Sequence, residues 1–538
     1  MELLGDDVVA FSGDPDFEPA GICNDHRRAE AGSLFVCVAG YVADGHAHAA
    51  GALTNGAAAL VTQKPVEELG IPDALIGSAK AVVQTRDSRR ALAAASHLFY
   101  AEPSRKLMLA GVTGTKGKTT TSYMIRSIMN AAGLQSGLIG TVENYIGGDS
   151  FPAKETTPES LALARLFADM RDRGCSHAVM EVSSQGLALR RVDFCDFDAA
   201  VFTNFYNDHV SPNEHKDIGE YFAAKMKLFS MAKHAVVNAD IPEFEAVRDA
   251  ISLCGCVKSM LTYSIKGAGG KTGAPEAGMP EAEPYGKNAT EAGLPETGAT
   301  EAFIPDITAS DIEYVNDGRV YTRFFARTPW FSDTVTVAMP GGYNVSNALA
   351  AIGVCGLFGI KKEAILEGLL RVSVRGRTQV IDEGQDFTVL VDYAHNAASL
   401  EAMLGMLREY DFKSITTVFG CGGNRARDRR FDMGEASGRL SDFTVVTSDN
   451  PRNEEPACII ADIETGLLRT DGRYITMEDR ATAIRFALEN ASPGELVLIA
   501  GKGHEATQTF ADRVIPFDDA LTAREILREI YKKAGHSA

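Results

Sequence analysis

From residue 106 onward the chain alternates between two hydrophobic periods. Continuous apolar runs of strand length occur at 107–112, 177–181 and 199–203. Between them, at 119–132 and 161–173, apolar residues recur every three to four positions, the spacing of an amphipathic helix. This alternation predicts a doubly wound α/β domain with a mostly parallel sheet and functional loops at the carboxyl ends of its strands. The segment before it carries shorter strand-like runs at 34–38, 58–61 and 81–84 and a helix over 87–99, closed by the linker-like A-E-P-S-R at 101–105. Another α/β unit begins near Arg375, with strands predicted at 387–392, 415–419, 443–447 and 496–499. The expected organisation is therefore α/β throughout, in three domains spanning 1–105, 106–374 and 375–538. Residues 266–302 break the pattern: they loosely repeat P-E-A-G and T-E-A-G, have almost no core-forming side chains, and are expected to form a disordered insertion.

Composition narrows the function classes. At 538 residues the chain is too long for a single core, and its 45% hydrophobic and 23% charged content is that of an ordinary soluble protein. The net charge of −19 argues against nucleic-acid binding, which needs a basic footprint, but leaves room for a nucleotide held by local dipoles and one lysine. The start, M-E-L-L-G-D-D, lacks a basic and apolar leader, and no apolar span is long enough to cross a bilayer. A cytoplasmic location without membrane insertion is expected. Nine scattered cysteines fit free thiols in a reducing compartment, and the C-x-C at Cys254 and Cys256 lacks partners at zinc-site spacing.

The most specific chemistry lies in L-M-L-A-G-V-T-G-T-K-G-K-T-T-T at 107–121. Gly114 and Gly117 let backbone N–H groups turn toward a phosphate, Lys118 can reach the terminal phosphates, and the Thr119 hydroxyl can bind Mg²⁺. The helix that starts there points its positive end at the same anion. Val112 stands where the common phosphate-loop pattern has its first glycine, so this T-G-T-K-G-K-T-T form is a narrower variant. Further polar groups follow predicted strands: Glu181 ends H-A-V-M-E, and Y-A-H-N, G-C-G-G-N-R, S-D-N-P-R and G-K-G-H-E follow the C-terminal ones.

Taken in order, these motifs resemble the Mur ligases, ATP-dependent amino-acid-adding enzymes of peptidoglycan synthesis, over nearly the whole chain except 266–302. The resemblance implies a small α/β N-terminal domain for a UDP-sugar, a central P-loop domain for ATP and a Rossmann-like C-terminal domain for the incoming amino acid. It also implies that a substrate carboxylate takes the γ-phosphate of ATP and that an amine then displaces the acyl phosphate. Gly114, Thr115, Lys116, Gly117, Lys118 and Thr119 match the triphosphate cradle. Glu181 and His209 match metal ligands for Mg²⁺. Lys225 in Y-F-A-A-K-M-K matches the lysine that the family carbamylates (N6-carboxylysine) to hold a second Mg²⁺. Lys118, Glu181, His209 and Lys225 form the implied catalytic set, with Thr119 also on metal. Asn344, Asn347, Arg377, Asp392 and His395 match ATP contacts. Asp44, His46, Thr156, Thr157, Ser183 and Arg191 match the UDP-sugar-peptide side.

Amino-acid specificity follows from D-N-P-R, which resembles the motif of members that add meso-diaminopimelate. That substrate has a distal carboxylate, which Arg452 can bind bidentately, whereas lysine would leave the guanidinium unpaired. Arg425, Asp449, Asn450, Gly501 and Glu505 complete the implied amino-acid site. The implied substrates are UDP-N-acetylmuramoyl-L-alanyl-D-glutamate and diaminopimelate, on a monomer. The chain departs from the family pattern at His26, where serine is usual, at Gln185 and Leu189, and in the V-S-P-N-E-H-K loop after His209. Those departures keep open a divergent ligase with another acceptor or with L-lysine. A non-catalytic nucleotide-binding regulator is the rival of a different class, and the retention of Lys118, Glu181, His209 and Lys225 counts against it.

Overall fold

A computed structural model describes residues 3–40, 43–206, 214–266 and 303–535. The chain divides into two compact units, one of Met1–Leu261 with Leu357–Gly359, the other of Thr262–Gly356 with Ile360–Ala538. Nearly all of the 266–302 segment, together with Asp208 and His209, lies outside the described residues.

The first unit holds two sheets. Its N-terminal sheet runs in the order Val8–Gly13, Ala81–Thr85, Ala59–Thr62, Ser33–Val36, Gly21–Cys23 and is parallel except for its first strand. The predicted linker at 101–105 is tighter than a plain connection: Ala101 and Glu102 adopt left-handed backbone and lead into a 3₁₀ turn at Pro103–Lys106. Beyond it, Met108–Thr113 is central in a parallel array, with Phe197–Phe202 on one side and His177–Glu181 on the other. Ala232–Asn238 and Ser136–Ile139 extend the array at its two sides, again parallel. Helices Lys118–Ala131 and Ser160–Asp172 bury apolar faces that include Met124, Ile125, Leu163 and Phe167. The central strand is fully buried at Leu109, Ala110 and Val112, which accounts for its unbroken apolar run.

In the second unit, Ile307–Asn316, Val320–Arg327 and Ser332–Val337 form an antiparallel meander. The C-terminal sheet runs in the order Gln379–Ile381, Thr388–Asp392, Leu496–Ala500, Ile415–Phe419, Phe443–Val446, Tyr474–Thr476, parallel after its first strand. Alternate residues of its strands face opposite layers. Leu390 and Leu498 pack with Leu400, Met433 and Ile463, while Val389, Val391 and Ile499 pack with Ile484, Ala523 and Leu527. Helices thus cover both faces, and the polar loops can collect only at the strand ends. All nine cysteines are free thiols.

Candidate active site

In the first unit the phosphate loop is held in shape by its own glycines and hydrogen bonds. Gly114 has φ of +143°, and a Cβ there would meet Thr203 Oγ1 at 2.0 Å, so only glycine fits. Gly117, at φ of +82°, is the N-cap of helix Lys118–Ala131. The loop is tied to the end of the neighbouring strand by Thr115 N–H to Asn204 O (3.0 Å), Lys116 N–H to Asn204 Oδ1 (2.8 Å) and Thr203 Oγ1 to Lys116 O (2.7 Å). Two lysines converge on one carbonyl. Lys118 Nζ donates to Gly114 O (2.9 Å) and Thr115 O (3.0 Å), and Lys225 Nζ donates to Gly114 O (2.9 Å) from a buried position over the Tyr221 ring.

Glu181, fully buried at the end of its strand, accepts from Thr119 Oγ1 (2.9 Å), Thr141 N–H (2.7 Å) and Thr141 Oγ1 (3.0 Å). A Cβ at Gly140 would come within 2.3 Å of Glu181 Oε1, so a bare backbone is needed beside the carboxylate. Carboxylate and hydroxyl oxygens beside a phosphate loop suit Mg²⁺, which usually keeps few protein ligands and takes the rest from phosphate and water. The fit to that ion is therefore good at Glu181 and Thr119. His209 lies outside the described residues.

The loops on the sugar-peptide side are bonded to the same strand end. Thr157 Oγ1 donates to Glu181 O (3.0 Å) and accepts from Ser183 N–H (3.0 Å), and Thr156 pairs with Thr141 through their hydroxyls. Ser183 caps a short helix through Gly186 N–H. Arg191 is held by Glu155, Glu159 and Thr157 O. In the N-terminal sheet's own loops, Asp44 and His46 form a closed knot. Gln63 N–H donates to His46 Nε2 (3.0 Å), so the ring proton sits on Nδ1 and faces Asp44 Oδ1 (2.6 Å). Lys64, then His46, hold the Asp44 carboxyl well below its ordinary range. The unusual His26 stacks on His48 with centroids 4.4 Å apart and planes 8° from parallel. Sequence reasoning missed this pairing, because nothing local links residue 26 to residue 48.

In the second unit, four loops meet at the carboxyl ends of adjacent strands. Asp392 accepts from Thr378 N–H (2.7 Å) and Ala394 N–H (2.8 Å), and burial raises its carboxyl above the ordinary value against the pull of Arg377. Arg377 lies over the Tyr393 ring at 4.5 Å, and the His395 ring packs against the same tyrosine with centroids 4.4 Å apart. Asn344 is fully buried and donates to Pro340 O (2.7 Å), while Asn347 donates to Asn344 Oδ1 (3.1 Å), so this pair anchors the start of helix Gly342–Leu357.

The D-N-P-R and G-K-G-H-E loops are joined directly. Asn450 Nδ2 donates to Glu505 Oε2 (2.7 Å), and Gly501 leaves Asp449 Oδ2 the space that a Cβ would enter at 2.9 Å. Arg452 adopts φ of +54°, a left-handed backbone that costs a non-glycine residue on the order of 1–3 kcal/mol. Its N–H donates to Thr509 O (2.9 Å) and its guanidinium to Gly423 O (2.6 Å). Arg425 is exposed and makes no hydrogen bond or ion pair among the described residues. This unit therefore offers a fixed carboxylate and guanidinium groups at one sheet edge, a set that suits a zwitterion with an extra charged end.

Three family descriptions match the chain in succession: Mur ligase family, catalytic domain, at residues 20–113; Mur ligase middle domain at 112–277; and Mur ligase, glutamate ligase domain, at 376–503. The chain is 38% identical over 534 residues to the UDP-N-acetylmuramoyl-L-alanyl-D-glutamate–2,6-diaminopimelate ligase of Caldanaerobacter subterraneus subsp. tengcongensis, covering 99% of both. It is 39% identical to the ligase of the same name from Geobacillus thermodenitrificans, covering 97% of each. A solved structure of a ligase of that name superposes with a TM-score of 0.67 at 26% identity, covering 95% of both chains. Strand-end loops of this shape, matched along the full length by such relatives, lead to one conclusion: the chain belongs to the Mur ligase family and has its three-domain α/β fold.

Proposed function

We propose that this chain is the ATP-dependent ligase that joins meso-2,6-diaminopimelate to UDP-N-acetylmuramoyl-L-alanyl-D-glutamate in peptidoglycan synthesis. The observation that carries the amino-acid choice is the joined Asn450–Glu505 pair, with Asn450 in the same loop as Arg452, whose left-handed backbone is bonded to Thr509 O and whose guanidinium is held by Gly423 O. The 38% identity to a relative of that name, over 99% of the chain, supports the same acceptor.

In this reading the P-loop N–H groups and Lys118 receive the β- and γ-phosphates at the helix N-terminus. A carboxylate oxygen of the dipeptide substrate attacks the γ-phosphorus, the bond to the bridging oxygen breaks, and ADP leaves. The amine of diaminopimelate then attacks the acyl carbon, phosphate departs, and the amine loses a proton to leave the amide. Glu181 and Thr119 would hold Mg²⁺, which when bound neutralises charge on the transferring phosphoryl group. Lys225, carbamylated, would turn from a cation into an oxygen donor for a second ion. The domains are assigned as 1–105, 106–374 and 375–538, with Asp44, His46, Thr156, Thr157, Ser183 and Arg191 toward the sugar peptide. Asn344, Asn347, Arg377, Asp392 and His395 are assigned to ATP. Arg452 and Arg425 take the distal carboxylate and Glu505 the distal ammonium of diaminopimelate. A cytoplasmic monomer accompanies this reading, and among the described residues no helix is long and apolar enough to cross a membrane.

The test is phosphate release by purified protein with ATP, Mg²⁺, the UDP-muramoyl-dipeptide and a panel of amino acids. Release that depends on diaminopimelate is expected. Release with lysine instead would move the assignment to that amino acid, and none with any amino acid would favour another acceptor or a regulator. Arg452→Ala should raise the KM for diaminopimelate roughly 10- to 100-fold, the loss of a charge-assisted pair, and leave the KM for ATP nearly unchanged. Equal losses for both substrates would contradict the role given to Arg452.

A further inference from the structure

Lys502, in the G-K-G-H-E loop, has a side chain with no solvent exposure. A buried ammonium must find acceptors, and this one finds three: Thr507 O at 2.7 Å, Asn450 Oδ1 at 3.2 Å and Glu505 Oε2 at 3.4 Å. Thr509 N–H also donates to Asn450 Oδ1, at 3.0 Å. Both groups facing that oxygen can only donate, so the Asn450 amide has one permitted orientation, with its NH₂ turned toward Glu505. One oxygen of Glu505 is thereby held from two sides, by Asn450 Nδ2 and by Lys502 Nζ. Among the described residues nothing is hydrogen-bonded to the other oxygen, Oε1, and the Glu505 side chain keeps 33% of its surface exposed.

We propose that Lys502 is a positioning residue for amino-acid recognition. It anchors Glu505 by Oε2 and fixes the Asn450 amide, so that Oε1 alone is presented to the distal ammonium of the incoming diamino acid. This rests on the diaminopimelate reading above. The buried cation does not touch the substrate; it acts through Glu505, directly and by way of the Asn450 amide that bonds the same oxygen. Two loops that leave different strands, with Asn450 and Lys502 lying 52 residues apart, are thereby locked into one recognition surface.

The experiment is steady-state kinetics on the full-length enzyme with Lys502→Met, Glu505→Gln and the double variant. Lys502→Met is expected to raise the KM for diaminopimelate about 10- to 100-fold, with the KM for ATP and kcat at saturation changing by about twofold or less. In the Glu505→Gln background the same substitution should add about twofold or less, because its effect runs through that carboxylate. A general structural role would move both KM values, and full additivity would place Lys502 outside the Glu505 path; either result overturns the proposal. A wild-type enzyme without diaminopimelate-dependent release would overturn the activity itself, whereas an active wild type with an unmoved Lys502→Met variant overturns only the role of Lys502. If the methionine variant fails to fold, Lys502→Gln, which keeps an amide donor but no charge, carries the same comparison and the same expected KM split.

Discussion

Lys118→Met should lower kcat for phosphate release by about 10²–10³-fold, the range seen when one preorganised donor to a charged transition state is removed. The expectation follows from where the ammonium sits. Nζ is held 2.9 Å from Gly114 O and 3.0 Å from Thr115 O, over the loop that opens helix Lys118–Ala131. It therefore meets the transferring phosphoryl group without reorganising. Methionine keeps the stem and its packing but removes the charge. Fold stability should fall by no more than about 1–3 kcal/mol, because Gly114 O still receives Lys225 Nζ at 2.9 Å and only the carbonyl of the buried Thr115 loses its donor. The measurement is single-turnover phosphate release beside a thermal melt. A loss smaller than tenfold, or a loss matched by unfolding, would remove Lys118 from the chemistry.

How readily these features could be read from sequence depended on the distance over which each is specified. The phosphate loop is written in consecutive residues: strand, Gly114, Gly117, Lys118 and helix define their geometry together, and the structure returns the strand at Met108–Thr113 and the helix at Lys118–Ala131. Glu181 was visible for the same reason, as the polar end of an apolar run. The roles of His46 and Asn344 were less legible. As isolated residues in polar turns they show no partners, whereas in the fold His46 bonds Gln63 and Asp44, and Asn344 bonds Pro340. Such hydrogen bonds leave no periodic trace in the sequence. The least legible features join distant segments: the His26–His48 stack, Lys502 beneath Asn450, and Arg480 against Asp519. A buried lysine or arginine reads as a surface charge until the fold supplies its partners. Groups that act from one loop are thus legible in consecutive residues, whereas groups that hold two loops together are not.

Arg480→Met, at the start of helix Arg480–Glu489 on the C-terminal sheet, should destabilise that region by about 3–5 kcal/mol, because it strands a buried carboxylate. Arg480 and Asp519 both have no solvent exposure, and they pair twice, Nε to Oδ1 and a terminal nitrogen to Oδ2, each at 2.7 Å. The same guanidinium donates to Ala500 O (2.9 Å) and Ser448 O (3.4 Å). Those carbonyls immediately precede Gly501 and Asp449, so the pair braces both amino-acid loops from behind. The double variant Arg480→Met/Asp519→Asn leaves no unpaired charge and should recover on the order of 1–3 kcal/mol relative to the sum of the single losses. In a chain of two compact units unfolding need not be two-state, so the readout is hydrogen exchange of the Leu496–Ala500 strand rather than one melting temperature. Additive losses in the cycle would show that the two side chains are packed together but not energetically paired. The carbonyls at 448 and 500 lose their donor in both variants that lack Arg480, so the double variant should regain stability yet still show a raised KM for diaminopimelate. That separation would assign the ion pair to the fold and the two carbonyl bonds to the site.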